Sequence, residues 1–469
     1  MKKYITSVFV LFFVSIVVNA QEKVLHLSMQ DAIDYAIKNN YDNKVAAKNI
    51  DAAKERKWET TTIGLPQINA KVDYQYWLKQ QVSLLPAAAF DNRESVIQTV
   101  EDFFGLTANG SPVPPEGFIP LVFGTKQNVN AAVTLSQLIF DGSYLVGLQS
   151  AKTYLKISEQ AKEKTELSTR EAVVNAYGNV LVAEKTLEIL ERNKQVLSKN
   201  LNETQKIFDN GLTEEENVEQ LQITLGNLES NINNTKRLKK IAYQMLNIAL
   251  GINIEKQVAL SDNLEDLVVK NTDLELLSKT FSLENHIDYR IAENNKRANE
   301  LLVKLEKSKA LPSLSAFVNY GANANSDTFS FFDSEQQWFD YSLLGVSLNI
   351  PIFSSFGRRS RTAQAKIELE NTEIRLQEIE QKLDLQAQTA RSQYQLSIEN
   401  FDTAKKNLRL AERIEKKQQV KFFEGLSSSF DLSQAQNQLY SQQTNYVQSM
   451  LNVIAKKAQL ETALNIPIK

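Results

Sequence analysis

The 469-residue chain has no cysteine, which excludes disulfides and thiolate metal sites. Two histidines and four methionines leave little for imidazole or thioether metal binding. The nine prolines leave 121–311 and 352–466 free of them, so no ring forces a helix to break there. Past the N-terminus no apolar run reaches the ~18 residues that a membrane-crossing helix needs. A formal charge of −3 gives no basic footprint for nucleic acid. His26 and His286 both lie near helices that pack structurally, which leaves no plausible serine–histidine–acid constellation, and the paired carboxylates fall on charged helix faces. The chain therefore reads as a non-enzyme that needs no cofactor.

What is present starts with Met1-Lys2-Lys3, an apolar run from Val8 to Val18, and Val18-Asn19-Ala20 before Gln21. A basic start, a short apolar core and a small residue at the cut predict a signal peptide over 1–20. The run is too short for an anchor across ~30 Å of hydrocarbon. Loss of Lys2 and Lys3 takes the formal charge from −3 to −5. Hydrophobic residues make up 42% and charged ones 23%, the balance of a folded chain.

The sequence is also written twice. Leu65-Pro66-Gln67-Ile68-Asn69-Ala70 returns as Leu311-Pro312-Ser313-Leu314-Ser315-Ala316 at an offset of 246. Phe208-Asp209-Asn210-Gly211-Leu212 answers to Phe422-Phe423-Glu424-Gly425-Leu426, and Ala249-Leu250-Gly251-Ile252 to Ala463-Leu464-Asn465-Ile466, both at 214. The first copy thus holds 32 extra residues. Two quasi-equivalent units follow, 21–251 and 273–469, with 252–272 as the connection.

Ile68, Ala70, Val72, Tyr74 and Tyr76 alternate with Gln67, Asn69, Lys71, Asp73 and Gln75. Leu314, Ala316, Val318 and Tyr320 alternate likewise, with Phe317 as the one exception. Val129 to Leu135 and Leu344 to Ile350 repeat the pattern. Period two over about ten residues predicts strands near 66–77, 128–139, 312–323 and 341–353. Ten residues is also the span of a tilted strand in a bilayer. A soluble sheet with one buried face is the alternative. The charged and amide-bearing polar faces favour a wet lumen, and aromatics at the strand ends (Tyr74, Tyr76, Trp77, Trp338, Tyr341) favour an interfacial girdle. Four strands cannot close a barrel, since about eight are needed, and lipid tolerates no open edge. Several copies must close it together. Residues 77–127, holding the surplus and five prolines, are expected to be an irregular loop at the outer mouth.

Arg358 to Glu424 contains neither glycine nor proline. Leu376, Ile379, Leu383, Ala387, Ala390, Tyr394, Ile398 and Phe401 recur about every 3.5 positions, the seam period of a coiled coil. Unbroken, that helix would run on the order of 95 Å. Its counterpart is 143–208, the return helices are 213–250 and 427–464, and shorter helices are expected at 28–57 and 273–308.

These duplicated strand signals, long helices and Gly-Leu turns resemble the TolC family of outer-membrane efflux proteins over nearly everything after residue 27. The resemblance implies a homotrimer in outer-membrane lipid. Four strands per protomer would make a 12-stranded β-barrel, continued by a periplasmic α-barrel of long helices. It further implies an inner-membrane transporter and a periplasmic adaptor as partners. The periplasmic tips would be Gly211-Leu212-Thr213 and Gly425-Leu426-Ser427, with Leu212 and Leu426 as adaptor contacts and the glycines as turn formers. Asp431 matches the first of two acids that line the family's pore constriction, and Gln434 stands where the second would be. Plain capping or solvation is the alternative for Asp431. Glu214, Glu215, Glu216 and Glu219 would make the entrance negative, or simply complement a helix start.

The function implied is passive export through the outer membrane, of small molecules or, as an alternative, of proteins by type I secretion. A surface filament protein of coiled coils would explain the helices, but neither the signal peptide nor the amphipathic strands.

Overall fold

The computed structural model describes residues 24–105, 107, 110 and 115–467. The expected signal peptide, and Pro112 and Pro114 of the first loop, lie outside them. In chain order the elements begin β1 (Leu25–Leu27), α1 (Met29–Asn39), α2 (Tyr41–Thr62) and β2 (Gln67–Tyr76). Next come β3 (Val82–Pro86), a 3-10 turn (Ala87–Phe90), α3 (Arg93–Phe104), β4 (Phe118–Val122) and β5 (Gln127–Asp141). Then follow α4 (Gly142–Asp209), α5 (Glu215–Leu250), β6 (Val258–Leu260), α6 (Leu264–Asn271), α7 (Glu275–Ser278) and α8 (Ile287–Ser308). The chain closes with β7 (Ser313–Ser326), β8 (Phe339–Asn349), α9 (Gly357–Phe423) and α10 (Ser429–Ala463). Among the described residues no helix is long and apolar enough to cross a membrane. The elements fall into two compact units, one of Trp58–Gln149 with Lys304–Thr362, the other of the remainder.

The first of these units is a sheet. Its four strands run antiparallel in the order β2-β5-β7-β8, so β2 and β8 are open edges. Val72 pairs with Ala131, Ala131 with Ala322, and Ala322 with Asp340. Ile68, Val72, Val133, Val318, Leu344, Val346 and Leu348 all stay exposed in the single chain. A sheet with an uncovered apolar face and two unpaired edges is not a finished structure. Phe317, the exception to the alternation, sits opposite Gly345 on β8. A Cβ there would lie 2.4 Å from the Phe317 ring. The ring covers the gap a glycine leaves in a strand.

The connection from β2 to β5 departs from the irregular loop expected at 77–127. Val82–Pro86 pairs antiparallel with Phe118–Val122, and α3 lies between them. Prolines 86 and 120 sit within this short separate ribbon, outside the main sheet, where ladder donors matter less.

The second unit is helical, around a core that includes Val173, Tyr177, Leu246, Met450, Val453, Ile454 and Leu460. β1 and β6 pair in parallel beside it. Two buried tyrosines hold the segment between the repeats. Tyr177 Oη donates to Asp262 Oδ2 at 3.0 Å, and Tyr394 Oη donates to the Asn271 carbonyl at 2.6 Å. The helix expected at 28–57 is broken at Asn40, whose ψ of 142° is not helical and whose Nδ2 reaches the Ala249 carbonyl at 2.9 Å. The helix expected from 273 starts only at Ile287, after α7 and a turn. There, Asn465 Oδ1 accepts the Ile287 N–H at 3.1 Å.

Candidate functional site

The two turns between long helices close identically. Gly211 N–H donates to the Phe208 carbonyl at 2.7 Å and Leu212 N–H to that of Ile207 at 3.0 Å. Gly425 N–H donates to Phe422 at 3.0 Å and Leu426 N–H to Lys421 at 2.8 Å. This crossed pair satisfies carbonyls left over at a helix end and needs a left-handed residue, here with φ of 71° and 74°. A Cβ on either glycine would meet nothing within 4 Å, so backbone freedom alone accounts for them. Leu212 and Leu426 stand out at 78% and 72% exposure, with Phe430 exposed beside the second.

Past the turns the copies part. Ser428 caps α10: its Oγ accepts the Asp431 N–H at 3.2 Å, and Asp431 Oδ2 accepts the Ser428 N–H at 3.2 Å. That reciprocal pair is a capping box. Ser428 Oγ and Ser427 Oγ also donate to the same carboxylate, at 2.9 and 3.2 Å. These bonds, Ser428's side chain first, hold the Asp431 carboxyl below the usual range. Gln418 Nε2 donates to Ser427 Oγ at 2.6 Å, tying the cap back to α9.

In the first copy Glu214 occupies the cap position with no side-chain bond, and Glu215, Glu216 and Glu219 follow, exposed. Asn217 stands where Asp431 does in the repeat and acts differently. Its Nδ2 donates to Thr213 Oγ1 at 3.0 Å, while its Oδ1 accepts the Ser429 N–H at 3.1 Å. One turn thus caps the helix of the other.

Asp431 and Gln434 are exposed together on α10, flanked by buried Leu432, Ser433, Ala435 and Gln436. Farther from the turn, Thr224 and Ser433 hydroxyls meet at 3.2 Å, and Gln419 Nε2 donates to Asn200 Oδ1 at 3.0 Å. Gln436 is fully buried with no partner for Oε1. Glu415 lies beside it; burial pushes that carboxyl up, partly offset by a hydrogen bond from Gln436. Tyr440 is pushed up to about 12 by burial, with the Glu415 charge adding to it. In the first copy the same seam is apolar, built on Leu197, Leu221, Leu228 and Ile232. The offset of 214 already contained this signal, since Glu415 is the counterpart of Leu201 and Tyr440 that of Gly226.

A family model described as outer membrane efflux protein matches residues 32–252 and 281–465, including both turns and all four strands of the sheet. The chain belongs to that family. The outer membrane protein TolC of Vibrio cholerae is 24% identical over 243 residues, 51% of this chain and 54% of that one. The match thus spans about half the length of this curated relative. Among solved structures, CusC superposes with a TM-score of 0.70 at 16% identity, over 96% of this chain and 95% of that one. VceC of Vibrio cholerae gives 0.67 at 14%, over 94% and 97%. At these identities the likeness speaks for the fold: long helices with a β domain. Outer membrane efflux proteins are non-enzymatic channels with a large periplasmic part, and this chain has its place in the outer membrane.

Proposed function

We propose that this protein is the exit duct of a tripartite export system, conducting substrates passively from the periplasm or an inner-membrane pump to the outside. The observation that carries the reading is the four-stranded sheet with an apolar face and two open edges. Lipid tolerates no unpaired edge, and three copies would supply twelve strands. Closed symmetry is the usual form of such a ring. Leu212 and Leu426 are apolar, exposed and rigidly presented, which suits contact with a periplasmic adaptor. Asp431 and Gln434 would line the constriction, and Glu214, Glu215, Glu216 and Glu219 its approach. Energy would come from the inner-membrane transporter.

The test is twofold. The detergent-extracted protein should have the native mass of three chains and form channels in planar bilayers. A Leu212→Asp/Leu426→Asp variant should keep both properties yet lose adaptor co-purification and export in cells. A monomer that forms no channels would sink the duct. Full export by the double variant would remove the leucines from the contact.

A further inference from the structure

The excursion between β2 and β5 carries two apolar faces that the described residues leave uncovered. In the β3–β4 ribbon, Val82 lies opposite Val122, Leu84 opposite Pro120, and Pro86 opposite Phe118. Opposed residues on alternating strands share a face, so these six side chains form one apolar surface. Val82, Leu84, Phe118 and Val122 are all exposed. On α3, Val96, Val100, Phe103 and Phe104 recur at helical spacing and are also exposed, Phe103 by 80%. No residue of α3 is buried. A lone two-stranded ribbon and a helix of about twelve residues are each marginal in water. Both elements need something to cover them.

We infer that a second copy of this chain covers them: the excursion of one protomer packs against the neighbouring protomer at the outer mouth. The inference rests on the oligomeric duct proposed above. β3 continues from β2, an open edge of the sheet, so the ribbon leaves the sheet on the side where a neighbour must pair. The other open edge, β8, is entered through Trp338 and Phe339, both exposed. Where β8 of one copy meets β2 of the next, those aromatics come to the excursion. Charge argues against lipid as the cover. The polar side of α3 carries Glu94, Glu101 and Asp102, and its one cation, Arg93, is engaged by Asp91 at 2.7 Å. Helices that lie on anionic membranes carry lysine and arginine instead.

The absence of cysteine makes the test clean. Two differently tagged chains, one Leu84→Cys and the other Trp338→Cys, are co-expressed and treated in membranes with a short bis-maleimide. A covalent product carrying both tags is expected, and either variant alone should give none of it. No such product from a protein of trimeric native mass overturns the inference and leaves the duct standing. A monomeric mass removes the duct and the inference together. As a second readout, a Phe103→Trp variant with Trp58, Trp77 and Trp338 replaced by phenylalanine should resist quenching by both brominated acyl chains and aqueous iodide. Quenching by the first would hand the surface to lipid, and by the second to water; either overturns the proposal. Replacing 80–125 by a tight turn should leave trimers, because strand pairing remains, but they should dissociate in detergent at a lower temperature.

Discussion

The turn at Gly211 and the turn at Gly425 have the same crossed hydrogen bonds and the same left-handed glycine, yet different helix starts. One opens on a capping box that occupies a carboxylate. The other opens on exposed glutamates and lends its asparagine to the opposite turn. Duplication supplied two equal backbones, and the side chains have since divided the work. The second turn caps its own helix, and the first adds a bond across to it.

The far ends of the return helices make a similar pair, and there the largest effect is expected. Gly251 and Asn465 occupy equivalent left-handed positions, with φ of 73° and 52°. A Cβ on Gly251 would lie 2.2 Å from the Asn39 carbonyl oxygen. Gly251→Asn should therefore cost about 3 kcal/mol through forced overpacking. Gly425→Asn, with open space around it, should cost under about 1 kcal/mol. Thermal unfolding followed by circular dichroism would separate them, and equal losses would show that backbone conformation alone governs both sites.

Next in size are the two helix starts. Ser428→Ala removes the capping box and should destabilise the head of α10 by about 1 kcal/mol. Asn217→Ala should cost about the same by orphaning the Ser429 N–H. Hydrogen exchange at residues 429–432 should quicken in both variants. Only Asn217→Ala should also raise the channel's open probability, because only it separates the turns. An unchanged open probability would confine Asn217 to a capping role.

Smaller again is the effect of Glu415. Its carboxyl is raised by burial, so the folded state binds its proton more tightly than the unfolded chain. The stability it contributes is present below the ordinary carboxylate value and lost as pH rises through its folded value. Asp431, held low, works in the opposite sense: its contribution is present at neutral pH and lost as pH falls. Acidifying from about pH 7 to pH 5 should thus stabilise the α9–α10 pair slightly, by under about 1 kcal/mol. Glu415→Leu, which copies Leu201, should flatten that dependence in thermal melts. A variant with the parent's pH profile would assign the dependence elsewhere.

The smallest structural change is Asp431→Asn, which keeps an acceptor for the cap but removes the charge. Unfolding should hardly move, while block of the channel by multivalent cations should weaken. Unchanged block would take Asp431 out of the constriction.

Much of this architecture was legible in the sequence because its periodicities are pure. The alternation of Ile68 to Tyr76 and the proline-free seam of α9 each point to one kind of element. Phe317 broke the pattern for a reason invisible along the strand, its cross-strand glycine at 345. The break at Asn40 was hidden because asparagine is unremarkable in a helix until its side chain finds the Ala249 carbonyl. The order within 77–126 was masked by prolines, which signal loops but here sit in a separate ribbon. At the turns, the Gly-Leu positions could be read locally. The bond between Asn217 and Ser429 could not, since it joins residues 212 positions apart.

In a ring of three chains that bond occurs three times. At roughly 1 kcal/mol each, three would favour the joined turns over the separated ones by roughly 3 kcal/mol, or about a hundredfold in population. A partner that binds the released form of the turns better by that margin could turn the bias around. On the proposed function, that margin is one that a protein contact of ordinary strength at Leu212 and Leu426 would overcome, with no need of chemical energy at the outer membrane.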